Sequence, residues 1–524
     1  MILVERIKSG YKELVKNPVK LDRIFIVSLL CILLLVICVV LILNNNRIDT
    51  NDDLARLLGF RTTILAGVAI VGLIFIVLTI CKVKLEWLFL AVALGIGLLY
   101  MFAMTPFSVP DEHVHYINTT HLTSRLVGPT NTTFSRESDF DYSELVAHYN
   151  APNAYLRLLD EGIRSVESEH SASTQVSYIT YPIMFLPQAI GITLGRLLQL
   201  NFFGLFYLGR LFNLLLFVTC GVAAIRAVKD FKLPIFIICI LPMTIHQAAS
   251  LSPDSFINGV AILFLAYLIR LTYEKDEWSL KDIAILALTG ILLSPSKNVY
   301  FIIVLLIFFA APYRFGWKNA KGYLLAAGVI ASCVAVILLF NLAGIQRTLT
   351  PGDIERWHGG TNYTTAFIFE NPVEFIKIIL RTVQMFYEWY FFSLFGMELA
   401  GLTLVLPKWY IIVFMVVFVI SVLYGEKDSW VPKWLHKVIF LKICGLVVLV
   451  SMIGMFLSWT PDTHPFILGV QGRYFIPLLP LFALIFRSKL KINRAIFPYA
   501  LIAVTIFMHF MILRFVLDYT IAKF

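Results

Sequence analysis

Four ionisable side chains fall within five positions of the stretch TPFSVPDEHVHY (residues 105–116): Asp111, Glu112, His113 and His115. A carboxylate held at a fixed place can take a proton from a hydroxyl, and an imidazole beside it can orient that carboxylate. Pro106 and Pro110 stiffen the segment that carries them. A helix that starts near Pro110 and Asp111 puts Asp111 and His115, four apart, on one face. His113 and His115, two apart, diverge, so the pair is poor evidence for a metal site. Asp is also a favoured helix cap, and capping alone accounts for Asp111. The company of Glu112, His113 and His115 favours chemistry.

The elements that position these groups are set by composition. The chain has 524 residues, 59% hydrophobic and 15% charged, with a mean hydropathy of +0.82. Soluble domains carry roughly 25% charged residues. The sequence therefore predicts an all-α polytopic membrane protein, and the absence of period-two alternation argues against a β-barrel. The net charge of +10 needs no nucleic-acid partner if topology places the basic residues. The seven cysteines all lie in or beside apolar runs, which indicates neither a disulfide framework nor a cysteine metal site. Residues 1–23 are polar and basic, and the first apolar run is too long for a signal-peptide core.

Thirteen spans are predicted: 24–44, 62–80, 86–104, 204–228, 233–251, 256–272, 283–294, 299–311, 323–341, 409–424, 438–459, 473–486 and 495–517. The pair 283–294 and 299–311 reads as half-length helices meeting at SPSKN. Basic residues concentrate in 6–23 and in the loops 82–84, 226–232, 270–281, 314–321, 427–437 and 487–494. With the N-terminus cytoplasmic, every one of these falls inside. The chain then divides into 1–104 with three spans, a large outer loop 105–203, central spans in 204–341, a second outer loop 342–408, and C-terminal spans in 409–524. Two stretches, 181–200 and 371–392, are too charged or too proline-rich to span. They are expected as amphipathic helices on the outer face.

Cations in apolar surroundings on that face are candidates to hold an anion. Lys297 in SPSKNVY and Arg473 in QGRYF stand out, although interfacial snorkelling explains either one. Arg347, Arg356 and Arg381 in the second loop are weaker candidates. Arg210, inside a span, is expected to face the bundle and pair with a carboxylate. His246, Asp254 and Gln471 mark the same level, with Asp254 also reading as a helix cap. Tyr116, Tyr181, Tyr300 and Tyr474 have rings that could stack on a sugar, and an aromatic belt gives the same pattern.

Five segments occur in a recognisable order: PFSVPDEHVHYINTTHLTSRLVG, YLGRLFNLLLF, LPMTIHQAASLSPDSFINGVAILFLAYLIRL, SPSKNVYF and GVQGRYFIPLLPLF. Together they resemble the DUF2142 family of bacterial multi-spanning proteins. That family is similar to the GT-C class of membrane glycosyltransferases. The resemblance implies a GT-C-like bundle with amphipathic helices on the outer face and a sugar donor carried on polyprenyl phosphate. It also implies that Asp111 stands at the acidic catalytic position with Glu112 beside it. Here the acidic loop follows the third predicted span, whereas the class usually places it after the first. Either two helices precede the shared core or the span count is too high.

The residues suit that chemistry. Asp111 is the base expected to deprotonate the acceptor, Glu112 or His115 orients it or helps bind a divalent cation, and Lys297 and Arg473 hold the leaving phosphate. No cofactor is assigned beyond that divalent cation. The expected function is an inverting glycosyltransferase acting at the outer face of a bacterial plasma membrane on a glycopolymer or lipid-linked acceptor. A transporter or flippase of a lipid-linked saccharide, and an oligosaccharide polymerase or ligase, are the alternatives.

Overall fold

A computed structural model describes residues 52–127, 133–135, 152–165, 170–172, 181–275, 278–309, 319–349, 361–425, 429–490, 492 and 496–524. The expected span 24–44 lies outside them, as does Arg356. In chain order the helices are α1 (Asp53–Ile80), α2 (Leu85–Ala103), α3 (Glu112–Val127), α4 (Pro152–Glu161), α5 (Leu186–Leu197) and α6 (Phe202–Ala227). They continue with α7 (Lys232–Cys239), α8 (Pro242–Ala248), α9 (Asp254–Ile269), α10 (Leu280–Leu293), α11 (Phe301–Val304) and α12 (Asn319–Leu349). The last are α13 (Thr365–Glu370), α14 (Pro372–Phe395), α15 (Lys408–Leu423), α16 (Trp434–Ser458), α17 (Leu479–Phe486) and α18 (Phe497–Ile521). Two small two-stranded antiparallel sheets pair β1 (Thr133–Ser135) with β2 (His170–Ala172) and β3 (Glu398–Leu399) with β4 (Leu404–Val405).

Among the described residues seven helices are long and apolar enough to cross a membrane: α1, α2, α6, α9 with its π-helical extension to Glu274, the 322–342 part of α12, α16 and α18. Three shorter apolar helical stretches add Asn298–Phe309, α15 and Gly472–Phe486. The chain is an all-α, multi-pass membrane protein.

The predicted span 233–251 is broken instead of continuous. Leu241 is extended, and α8 restarts at Pro242. A proline cannot donate to the preceding turn, so carbonyls before it lose their helical partners. In an apolar interior such a group needs another donor. His509 of α18 supplies one, with Nε2 at 2.7 Å from the Ile240 carbonyl, and Tyr100 Oη lies 3.0 Å from His509 Nδ1. These partners assign the proton to Nε2, leaving Nδ1 to accept from the tyrosine. The break at SPSKN is present as expected: α10 ends at Leu293, and a 3₁₀ turn over Asn298–Tyr300 begins the next helix. The predicted span 473–486 is also divided, into a 3₁₀ helix over Gly472–Leu478 and then α17.

The two helices expected on the surface differ from each other. α14 is one long helix with Val373, Ile376, Leu380 and Tyr387 exposed. It carries Glu374 with Lys377 at 3.3 Å and Arg381 at 3.1 Å. α5 does not lie across the bundle. It runs antiparallel along the first turns of the spanning helix α6, Gly191 against Leu208 and Gly209, and Gly195 against Leu205. A side chain at Gly191 would collide with the Leu208 carbonyl. Small residues at this crossing set the close approach of the two backbones.

The described parts of the basic loops 226–232, 270–281, 427–437 and 487–494 meet at the end away from Asp111. Glu274 accepts from the amides of Lys229 and Asp230 at 2.7 and 3.0 Å and from Trp430 Nε1 at 3.0 Å. Arg487, fully buried, donates to the Trp430 carbonyl at 3.0 Å and lies 4.2 Å over the Trp430 ring. Lys437 caps the Arg487 carbonyl at 2.5 Å.

Candidate functional site

The segment between α2 and α3 is a tight turn. Ser108 donates to the Thr105 carbonyl through both its amide and its hydroxyl, at 3.2 and 2.7 Å. The Glu112 amide reaches the Val109 carbonyl at 3.1 Å. Asp111 then takes a left-handed conformation, with φ of +62°. Asp and Asn tolerate this region better than other non-glycine residues. The His115 amide closes the first helical turn on the Asp111 carbonyl at 3.0 Å. The positive φ sends adjacent carboxylates different ways: Asp111 is 61% exposed and Glu112 is fully buried.

Glu112 is consumed by the interior. Arg210 of α6 grips it with Nε to Oε1 at 2.9 Å and Nη2 to Oε2 at 2.6 Å. The Leu251 amide adds a bond at 3.0 Å. Arg210 spends its remaining donors on the carbonyls of Met101, Met104 and Thr105 at 2.7, 2.6 and 3.0 Å. These carbonyls lie at the C-terminal end of α2, where no further helical donors follow. The pair ties α2, α3, α6 and the loop before α9 together. The expectation that Glu112 orients Asp111 or helps hold a cation does not match this placement. The expectation that Arg210 faces the bundle and pairs with a carboxylate does.

Asp111 instead meets Arg473, whose Nη2 is 3.2 Å from Asp111 Oδ2. Arg473 is 4% exposed, and its Nε stands 3.9 Å from Asp254 Oδ2. Lys297 Nζ donates to Asp254 Oδ1 at 2.7 Å and sits 4.4 Å over the ring of Tyr474. Asp254 opens α9 after Pro253 and makes no side-chain cap, so its carboxylate is free to serve Lys297. Tyr300 anchors the arrangement by donating to the Tyr474 carbonyl at 2.8 Å. Two acids and two bases thus alternate in a row, Asp111, Arg473, Asp254 and Lys297, drawn from four distant parts of the chain. Two of the three breaks described above contribute: Lys297 lies in the SPSKN break, and Arg473 is the second residue of the 3₁₀ helix.

Several polar atoms around this row are buried and make no hydrogen bond among the described residues. They include Nε and Nη1 of Arg473, Nδ1 of His115, Nε2 of His246 and Oε1 of Gln471. Buried polar groups are ordinarily satisfied, so such a concentration marks a place built to meet a polar ligand. His115, sharing the Asp111 face of α3, has its pKa pushed down to about 4, first by burial. Arg473 and Lys297 add to the lowering, against the pull of Asp111 and Asp254. It is a neutral imidazole at pH 7. His246 sits in α8 within the electrostatic reach of Arg473 and Arg210. Tyr116 is placed elsewhere, its ring 5.5 Å from Phe202 and 5.8 Å from Phe107 in a packed aromatic wall. Among the described residues, no group of three or more His, Cys, Asp or Glu is positioned to hold a metal ion.

A feature with no single-residue signal in the sequence adjoins the row. An apolar groove of about 320 Å³ opens between α14 and α16, lined by Tyr387, Phe391, Val448, Met452, Phe475 and Phe482 among others. Phe475 in its wall is two residues from Arg473 in the same 3₁₀ helix. Gly472 lets α14 close over this corner: a Cβ there would strike the Tyr390 carbonyl, Ser393 Oγ and the Leu394 amide.

The model of a family described as predicted membrane proteins (DUF2142) matches residues 94–482. No curated protein and no solved structure shows a significant match to this chain.

Proposed function

The chain belongs to the DUF2142 family, and every member of the acid–base row falls in the matched region; from that premise we propose an inverting glycosyltransferase that uses a polyprenyl-phosphate sugar. The observation that carries the reading is the buried Arg473 beside Lys297, with Nε and Nη1 making no hydrogen bond among the described residues, in the 3₁₀ helix whose Phe475 walls an apolar groove. A phosphate on a long hydrocarbon chain fits that combination. Arg473 and Lys297 hold the phosphate, and the groove takes the first part of the chain. Charge-assisted donors in a dry site are worth far more than in water.

Asp111 is the exposed acid at the mouth of the row and serves as the base. It takes the proton of an acceptor hydroxyl, whose oxygen attacks the anomeric carbon of the donor. The bond from that carbon to the phosphate oxygen breaks, and its electron pair leaves with the lipid phosphate. Attack from the face opposite the leaving group inverts the anomeric centre. Neutral His115 orients Asp111, and Tyr474 offers a partly exposed ring near Lys297. The resemblance to the GT-C class supports the same reading and a GT-C-like bundle of about thirteen spans. On the positive-inside rule the end that gathers the basic loops is cytoplasmic. The row then faces the outside of a bacterial plasma membrane, where the acceptor is a surface glycopolymer or a lipid-linked saccharide.

The test is transfer of labelled sugar by the purified chain in detergent, from a panel of polyprenyl-phosphate sugars to envelope glycan acceptors. Asp111→Asn abolishes transfer while the protein still elutes as a single folded species. Lys297→Ala and Arg473→Ala raise the KM for donor more than that for acceptor. Native rates in Asp111→Asn count against the base, and equal effects on both substrates count against the phosphate role. A flippase is the second reading, favoured by the helix breaks at 240–242 and 294–298. Transfer in detergent, where there are no two compartments, separates the two.

A further inference from the structure

The row of Asp111, Arg473, Asp254 and Lys297 has two negative and two positive members, so its formal charge is zero. It does not present a standing positive charge to a phosphate. Something must release a cation when the phosphate needs it. The geometry shows which pairing is loose. Lys297 is bound to Asp254 at 2.7 Å, on a carboxylate that is 9% exposed. Arg473 touches Asp111 by one contact at 3.2 Å, on a carboxylate that is 61% exposed. Among the described residues, Nε and Nη1 of Arg473 make no hydrogen bond.

We propose that Arg473 is shared between Asp111 and the ligand phosphate, and that protonation of Asp111 hands the guanidinium over to the phosphate. The inference rests on the donor reading above. The charges balance through the step. Before transfer the row is neutral and the donor phosphodiester carries one negative charge. The acceptor proton moves to Asp111, and the electron pair of the broken bond moves to the phosphate, which then carries two. Asp111 has lost its charge at that moment, so its hold on Arg473 weakens as the pull of the phosphate grows. The row is now positive by one and the total charge is unchanged. The guanidinium stabilises the leaving group most when the bond has broken, which is the condition for accelerating the step and not merely binding the donor. Asp254 and Lys297 stay paired and supply the fixed part of the cradle.

A binding measurement tests this without turnover. The probe is farnesyl phosphate, a prenyl monophosphate that mimics the leaving group, titrated into the purified chain in detergent. Asp111→Asn reproduces the uncharged Asp111 and suits the left-handed φ, so the turn is kept. It is expected to bind the probe about tenfold more tightly than the native chain, equivalent to ~1.4 kcal/mol. In the Arg473→Gln background the same change is expected to give no gain, because the gain is made through the guanidinium. Unchanged or weaker binding in Asp111→Asn overturns the proposal. So does a gain that persists in Arg473→Gln, since the carboxylate would then act through space alone. Failure of the native chain to bind the probe at all refutes the donor reading itself, whereas binding without the coupling refutes only the hand-over.

Discussion

At the residue scale, two neighbouring acids have opposite fates. Asp111 and Glu112 are indistinguishable as sequence, and a positive φ at the first separates them. Glu112 is sealed with Arg210, and both are fully buried. Removing one partner of a buried pair leaves an uncompensated charge and costs about 3–5 kcal/mol. Arg210→Met is accordingly expected to lower the thermal midpoint sharply, and the double change Arg210→Met with Glu112→Gln to recover part of it. Thermal unfolding in detergent reads both, and an unchanged midpoint in Arg210→Met would remove the structural role. The residue types of the site were legible in the sequence: Asp111, His115, Asp254, Lys297, Tyr300 and Arg473 do assemble. Their pairing was not. Asp254 reads as a cap and Glu112 as a catalytic neighbour because sequence spacing describes one helix at a time. Which cation reaches which acid depends on distances across 43 to 362 positions.

At the element scale, function is carried by interruptions. The 3₁₀ helix from Gly472, the SPSKN turn and the restart at Pro242 are where helices stop short, and Arg473, Lys297 and His246 stand on or beside them. SPSKN announces its break with a proline flanked by serines. The break at Pro242 hides in an apolar run whose average hydropathy reads as one span. The apolar groove between α14 and α16 was invisible for a related reason, since its lining residues are ordinary lipid-compatible side chains. Glycines test this layer. Gly472→Ala places a methyl against backbone atoms of α14, and overpacking of this kind costs about 1–3 kcal/mol. A lower thermal midpoint is expected, together with weaker donor use because Arg473 is the next residue. Gly454→Ala in α16 meets nothing within 4 Å. It is expected to hold or raise the midpoint by relieving the cost of glycine in a helix. Equal responses at the two sites would refute the close crossing at Gly472.

At the scale of the whole molecule, the basic loops and the acid–base row occupy opposite ends. Charge bias in the sequence anticipated the gathering of the loops around Glu274 and Arg487, because topology follows loop charge more than any contact. A membrane-impermeant maleimide is expected to label Thr463→Cys in intact cells and to leave Lys489→Cys unlabelled, each compared with the parent chain. Labelling at Lys489 with protection at Thr463 would invert the orientation.

The region matched by the family model excludes α1 and α18, yet these two helices pack against each other and are bridged by Arg61 and Asp518 at 2.5 Å. α18 also delivers His509 to the Ile240 carbonyl, 269 positions earlier. The orphaned carbonyl is therefore synthesised well before the helix that satisfies it. Until α18 has been made, that carbonyl lacks its His509 donor. The latch is thus also a checkpoint in time: a chain stopped before residue 497 has every residue of the acid–base row but lacks His509, and it is expected to accumulate in membranes at a lower level than the chain carrying α18, as read by immunoblot.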